Sequence, residues 1–354
     1  MSRIASGPGP GRASPPGRRE PDLSVVVAGV RMRNPVMAAS GTFGYGREYA
    51  GLVDLGRLGA LVVKGTSLEP WPGNPPPRTV ETPAGMLNSI GLENPGLDHL
   101  LREDLPWLRA QGVPVVVNVV GRTAREYAEM ARRLDGVPGV AALEANISCP
   151  NVEEGGLAFG ADPDEAAALV EGMRRATSLP LIVKLTPNVT DITAVARRVV
   201  EAGADAVSLI NTLVGMAIDV ETRRPVLARG TGGLSGPAIR PVALAMVYRV
   251  AQAVEVPVIG MGGIWDGRDA VEFILAGASA VAVGTATFVD PGRPLRIVEE
   301  IAAYMSGHGY ERVEDMVGLA NPGFARRRAR RVGAERAERR KERGSEEIEG
   351  GDDR

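Results

Sequence analysis

Eight short runs rich in Val, Ile, Leu and Ala recur along the chain, at Pro35–Ala38, Ala60–Lys64, Val113–Val120, Ala142–Ser148, Leu181–Thr186, Ala206–Thr212, Val256–Gly260 and Ala280–Gly284. Amphipathic stretches separate them, among them Thr123–Leu134, Pro163–Thr177, Ile192–Ala202, Pro237–Val254 and Asp266–Ala276. Strands that read as nearly continuous apolar runs are buried on both faces, and their alternation with helices marks parallel βα units. Eight such units predict an α/β fold, a closed (β/α)8 TIM barrel. A doubly wound open sheet is the alternative, because strand number alone does not show closure.

Two connections are too long for a plain barrel. Gly65–Pro95 carries Arg78–Glu81 and Met86–Ile90, read as a hairpin turning at Pro83-Ala84-Gly85. Leu213–Gly236 holds several glycines and the charged run Glu221–Arg224. Both follow strands, so both are expected to cover the C-terminal face, where barrel active sites lie. Residues 1–21, rich in Pro, Gly and Arg, read as a disordered leader, 22–324 as the barrel, and 325–354 as a charged, solvated tail.

Composition excludes several functions. A formal net charge of −2 gives no global positive field to draw nucleic acid or an anionic membrane. A single cysteine rules out an intrachain disulfide, and an iron–sulfur cluster held wholly by this chain would need about four thiolates. No run reaches the roughly 18 apolar residues of a membrane span, and the leader lacks a signal-peptide core, so a cytoplasmic location is expected. No His/Cys/Asp cluster has metal-ligand spacing, so no metal site is expected.

Polar groups gather at the strand ends. Ser40 and Gly41 follow the first run; Lys64 and Gly65 close the second; Asn118 sits on the third; Asn146 and then Cys149 end the fourth. Lys184 lies on the fifth, Asn211 and Thr212 on the sixth, Gly262 and Gly263 after the seventh, Gly284 and Thr285 after the eighth. One such residue serves stability as well as binding; a polar or glycine ending on every strand points to a shared ligand. Of 41 basic residues three are lysine, and two of them, Lys64 and Lys184, close apolar runs. A compact point charge suits those places better than a planar guanidinium. The glycine turns at 262–263 and 284–285 let backbone N–H groups approach a phosphate, with a helix N-terminus near Asp266 expected to help. Gly230–Gly236 fails the dinucleotide motif, because Ser235 stands at its sixth position.

With two histidines in the chain, His99 and His308, Cys149 is the leading candidate for a proton-moving group. Lys64 and Lys184 would stabilise negative charge on a polarised ring, and the asparagines would hold heteroatoms of a planar ligand. Proton removal at one carbon and hydride loss from its neighbour desaturate a C–C bond, and a flavin is the natural hydride acceptor.

These residues resemble the class 1 dihydroorotate dehydrogenases, FMN-containing barrels of pyrimidine biosynthesis. The resemblance covers about residues 22–324 and rests on Ala39-Ser40-Gly41-Thr42-Phe43-Gly44, Val63-Lys64-Gly65-Thr66, Asn88-Ser89-Ile90-Gly91-Leu92, Asn146-Ile147-Ser148-Cys149-Pro150-Asn151-Val152, Ile210-Asn211-Thr212 and Gly232-Gly233-Leu234-Ser235-Gly236-Pro237. It implies FMN contacts at Ser40, Lys64, Gly65, Asn118, Asn146, Lys184, Ile210, Gly236, Gly262, Gly263, Gly284 and Thr285. It implies that Lys64, Asn88, Ser89, Ile90, Gly91, Leu92, Asn146, Asn211 and Thr212 hold dihydroorotate, and that Cys149 is the base. The membrane-associated class 2 enzymes carry serine at that place. Glu153–Gly160 and Asp219–Pro225 resemble class 1B, the NAD-linked type, whose electrons leave through a partner subunit carrying FAD and a [2Fe–2S] cluster. The implied assembly is a homodimer core with two such partners, a heterotetramer. A fumarate-using class 1A homodimer is the alternative. A tRNA dihydrouridine synthase would want a basic RNA-binding surface and an extra helical domain. A phosphate-binding isomerase or lyase barrel would leave Cys149 and the asparagines without a common role. A non-catalytic binding barrel is the least favoured, because polar groups at strand ends need a ligand to satisfy them.

Overall fold

The structure, a computed structural model, describes residues 20–148 and 159–327. Eight parallel strands close into a barrel: β1 (Val36–Ala38), β2 (Ala60–Val62), β3 (Val115–Val119), β4 (Val140–Asn146), β5 (Leu181–Lys184), β6 (Ala206–Leu209), β7 (Val258–Met261) and β8 (Ala280–Val283). Each pairs with its neighbour in sequence, and β8 closes on β1 through Val281↔Val36, Ala282↔Met37 and Val283↔Ala38. Burial on both faces accounts for their composition: all five residues of Val115–Val119 are buried. The open-sheet alternative is excluded by this closure.

The outer helices α1 (Ala124–Leu134), α2 (Pro163–Ala176), α3 (Ile192–Glu201), α4 (Arg240–Ala253) and α5 (Gly267–Ala276) follow the sequence pattern closely, and α6 (Arg293–His308) joins them without having been named from the sequence. In α1, Tyr127, Met130, Ala131 and Leu134 are buried, the i, i+3, i+4, i+7 stripe that faces a core. Thr123 starts it, its side chain accepting from the Glu126 N–H, and Asp162 and Asp191 cap α2 and α3 in the same way. Fully burying a side chain of the size of Met130 or Leu134 is worth about 1.5–3 kcal/mol, so this stripe fixes the helix to the barrel wall.

Two features go beyond the sequence reading. The Leu213–Gly236 connection contains the strands Leu213–Met216 and Thr231–Ser235, which pair with each other; Thr231–Ser235 then pairs with Gly85–Asn88 of the expected hairpin. The result is one four-stranded antiparallel sheet joining both long connections. Glycine makes that pairing possible, since a Cβ at Gly233 would stand 2.1 Å from Thr212 Oγ1 and one at Gly232 would stand 2.6 Å from the Asn88 carbonyl oxygen. At the opposite end, Val25–Val27 and Val30–Met32 form a hairpin whose turn residues Ala28 and Gly29 both have positive φ, 50° and 80°. Val25, Val27 and Met32 from it enter the core. Among the described residues no helix is long and apolar enough to cross a membrane.

Candidate active site

The polar residues at the carboxyl ends of the strands form a connected group. Asn211 Nδ2 donates to Asn146 Oδ1 at 3.2 Å and to Ser148 Oγ at 2.9 Å, linking the end of β6 to the end of β4. Register places Asn146 beside Lys184 and Lys184 beside Ser208. Lys184 is 6 % exposed, and its ammonium makes no hydrogen bond or ion pair with a described residue. An ammonium with no anion beside it is free to meet a ligand, so this site favours one with negative or electron-rich atoms.

Asn118 is fully buried on β3. Its Nδ2 donates to Glu144 Oε2 at 2.6 Å, while its Oδ1 has no partner among the described residues. Next to it, Gly65 keeps room, since a Cβ there would lie 3.1 Å from that same Oδ1. Ser40 Oγ donates to the Val63 carbonyl at 2.9 Å, tying the end of β1 to the residue before Lys64.

The loop Asn88–Leu92 is held by Asn74, itself held by Arg229. Asn74 Nδ2 donates to Ser89 O and Ser89 Oγ, the Asn74 N–H donates to Ile90 O, and Arg229 Nε donates to Asn74 Oδ1. Gly91, at φ 76°, has no room for a side chain, because a Cβ would meet the Asn74 nitrogen at 2.6 Å. Leu92 also takes a left-handed backbone, at φ 56°. Arg78 hydrogen-bonds Glu93 and holds its carboxyl below the usual range, and the charge of Lys64 acts in the same direction. On the far side, Asn88 Nδ2 donates to Gly233 O at 3.3 Å, and Thr212 packs at Gly233. The four-stranded sheet therefore brings Asn88 and Thr212 to one strand.

The two glycine turns present open amides. The N–H groups of Gly262, Gly263, Gly284 and Thr285 donate to no acceptor among the described residues. Gly262 and Gly263 have φ of 119° and 76°, and a Cβ on Gly263 would lie 2.8 Å from the Gly236 oxygen. Thr285 Oγ1 bonds Ser235 Oγ at 2.8 Å, so the Gly236 turn and the β8 end adjoin. Ile210 is buried and its N–H donates to Met261 O, one residue before Gly262.

One expectation is corrected. The N-terminus of α5 is not open to an anion: the Asp266 carboxylate accepts from the Asp269 N–H, Glu300 from Gly267, and Asp269 from Trp265. Carboxylates already take the Gly267 and Asp269 donors and stand where an anion would sit, which leaves the open amides at Gly262, Gly263, Gly284 and Thr285 as the better anion site.

Cys149 lies outside the described residues. The flanking chain is fixed: the Gly160 N–H donates to Ile147 O at 2.7 Å, Tyr127 Oη donates to Asn146 O at 2.6 Å, and the Phe159 ring meets Tyr127 edge-on. Tyr127, Asn74, Ser208 and Glu144 were missed by sequence reasoning. Glu144 was legible, as a charged residue at the same parity as Asn146 in an otherwise apolar strand. Asn74 carried no local signal. Among the described residues no group of three or more His, Cys, Asp or Glu could hold a metal ion.

The chain is similar to known proteins over most of its length. The family profile described as dihydroorotate dehydrogenase matches residues 22–305. A protein of Geobacter sp. (strain M21) is 58 % identical over 300 residues, covering 85 % of this chain and 98 % of its own. One from Geotalea uraniireducens (strain Rf4) is 58 % identical over 299 residues, covering 84 % and 98 %, and one from Geobacter sulfurreducens is 57 % identical over 300, covering 85 % and 98 %. All three are named dihydroorotate dehydrogenase B (NAD(+)), catalytic subunit.

Proposed function

The chain belongs to the dihydroorotate dehydrogenase family, and from that premise we propose that it is the catalytic subunit of an NAD+-linked enzyme oxidising (S)-dihydroorotate to orotate in pyrimidine biosynthesis. The observation that carries this reading is identity of 58 % over 98 % of a relative named for that subunit. The same likeness favours the NAD+-linked type over a fumarate-using enzyme or a tRNA dihydrouridine synthase.

The residues present fit FMN. The unpartnered Asn118 Oδ1 and the unpaired Lys184 ammonium suit the polar edge of a flavin ring, and the open amides at Gly262, Gly263, Gly284 and Thr285 suit its phosphate. Ser40, Lys64, Gly65, Asn146, Ile210 and Gly236 would complete its walls. Bound FMN supplies the acceptor for the hydride leaving C6 of dihydroorotate.

The chain's own residues do the rest. Lys64, the Asn88–Leu92 loop, Asn146, Asn211 and Thr212 orient the substrate's carboxylate and ring amides. The Cys149 thiolate takes the C5 proton, and the C5–H electron pair becomes the C5=C6 bond as hydride leaves. The Lys184 ammonium offsets the negative charge that arrives with the hydride.

Electrons pass to NAD+ through a separate partner subunit, to which we assign FAD and the [2Fe–2S] cluster. The assembly is a heterotetramer of two catalytic and two electron-transfer chains in the cytoplasm. Anaerobic addition of dihydroorotate to the FMN-loaded protein tests the reaction: bleaching of the yellow colour supports it, and a protein that takes up no FMN overturns it. Purification from the native host tests the partner. An iron–sulfur flavoprotein bound to this chain supports the NAD+-linked type, and a self-sufficient fumarate-reducing homodimer contradicts it.

A further inference from the structure

Glu144 is a carboxylate inside the barrel, 2 % exposed, that no step above uses. It precedes Asn146 by two residues on β4 and is the register partner of Asn118 on β3. Its Oε2 accepts from Asn118 Nδ2 at 2.6 Å, and its Oε1 accepts from Ser208 Oγ at 2.8 Å. Both of its carboxyl oxygens thus act as acceptors in this arrangement. Facing it, the Asn118 amide must present its NH2 group, which turns its oxygen the other way. That oxygen is the fully buried one with no partner among the described residues.

We infer that Glu144 is a positioning residue: it locks Asn118 as a hydrogen-bond acceptor toward the ligand and so selects a ring that offers an N–H at that place. The inference rests on the flavin reading above. The oxidised isoalloxazine ring carries one N–H, at N3, between two carbonyls. An Asn118 amide turned over would point its own N–H groups at that donor. Ser208 serves the same end at one remove, by satisfying the second carboxylate oxygen and holding Glu144 in place.

The test titrates apoprotein with FMN and with N3-methyl-FMN, following the quenching of flavin fluorescence, and records the apoprotein melting temperature alongside. The wild type should prefer FMN at least about tenfold, the size of one well-made buried hydrogen bond. Glu144→Gln can face Asn118 with either end of its amide. It should bind FMN about tenfold more weakly and lose most of that preference, with no collapse in melting temperature. Asn118→Asp alone sets two carboxylates face to face and should bind poorly. Combined with Glu144→Gln it reverses donor and acceptor across the same bond and again aims an acceptor oxygen at the ligand, so FMN affinity should recover. A Glu144→Gln protein with wild-type affinity and discrimination overturns the inference. So does a double variant no better than either single one, or a loss of FMN binding that merely tracks a loss of folding. A wild type that binds neither flavin overturns the flavin reading itself, and this inference with it.

Discussion

The two ends of the barrel use the same kinds of polar residue to opposite effect. At the amino end, Asn321 is fully buried and saturated: its Nδ2 donates to Tyr248 O and Ala276 O, and its Oδ1 accepts from Gln252 Nε2 and the Phe324 N–H. Asp135 accepts from Thr177 Oγ1, the Ser178 N–H and Ser178 Oγ, and Asp205 from Arg174 and the Leu181 N–H. At the carboxyl end, Asn118 Oδ1, Lys184 and four turn amides find no partner among the described residues. A cavity of about 230 Å³ does lie at the amino end, but its lining contains no lysine, asparagine or cysteine. A satisfied polar group holds loops together, whereas an unsatisfied one awaits something from outside the chain. Residue type does not distinguish these two sets of groups; hydrogen-bond completeness does.

That contrast can be broken by substitution at either end. The largest effect belongs to Cys149→Ala, which should slow flavin reduction by dihydroorotate about 10²–10⁴-fold while leaving FMN bound. Rapid-mixing absorbance checks it, and near wild-type reduction would remove Cys149 from the mechanism. Asn321→Ala should do the reverse: it takes a donor from the buried Ala276 carbonyl and the half-buried Tyr248 carbonyl and should cost about 1–3 kcal/mol of stability in denaturant unfolding, with FMN affinity kept in the folded protein. Lys184→Met should weaken FMN binding about tenfold in a fluorescence titration and leave apoprotein stability close to wild type, because no described residue takes a hydrogen bond or ion pair from the lysine. An apoprotein destabilised by Lys184→Met would mean that the lysine is structural after all.

The smallest effect concerns acid. Hydrogen bonds from the Thr177 hydroxyl and from the Ser178 N–H and hydroxyl hold the Asp135 carboxyl below its usual range. A lowered folded-state value means stability that is present above the unfolded value of about 3.9 and is lost as pH falls through the folded one. Asp135→Asn should therefore flatten the fall in melting temperature across that acid window. An acid profile identical to wild type would show that Asp135 contributes nothing to it.

The barrel was legible because burial on both faces and the 3.6-residue stripe are local signals. Ile192, Val195, Ala196 and Val199 of α3 announce their own buried face, and Asp191 announces where it starts. The four-stranded cover was half legible. Its outer hairpin turns at Pro83-Ala84, inside the expected Pro83-Ala84-Gly85, but Thr231–Ser235 is a strand only because Gly232 and Gly233 let it pass against Asn88 and Thr212, residues far away in sequence. The amino-end hairpin was hidden by its turn, since Ala28 is a poor advertisement for positive φ. In the site, residue types gave Asn118, Lys184 and the glycines. Which amides stay open, and that the α5 terminus is closed by its own carboxylates, depend on hydrogen bonds that no spacing encodes.

Hydrogen exchange on the apoprotein with and without FMN tests the contrast between the two ends most directly. FMN should slow exchange in peptides covering Asn118, Gly262–Gly263 and Gly284–Thr285, and leave those covering Asp135, Ser178 and Asn321 unchanged. Protection concentrated at the amino end, or none at the glycine turns, would contradict the account.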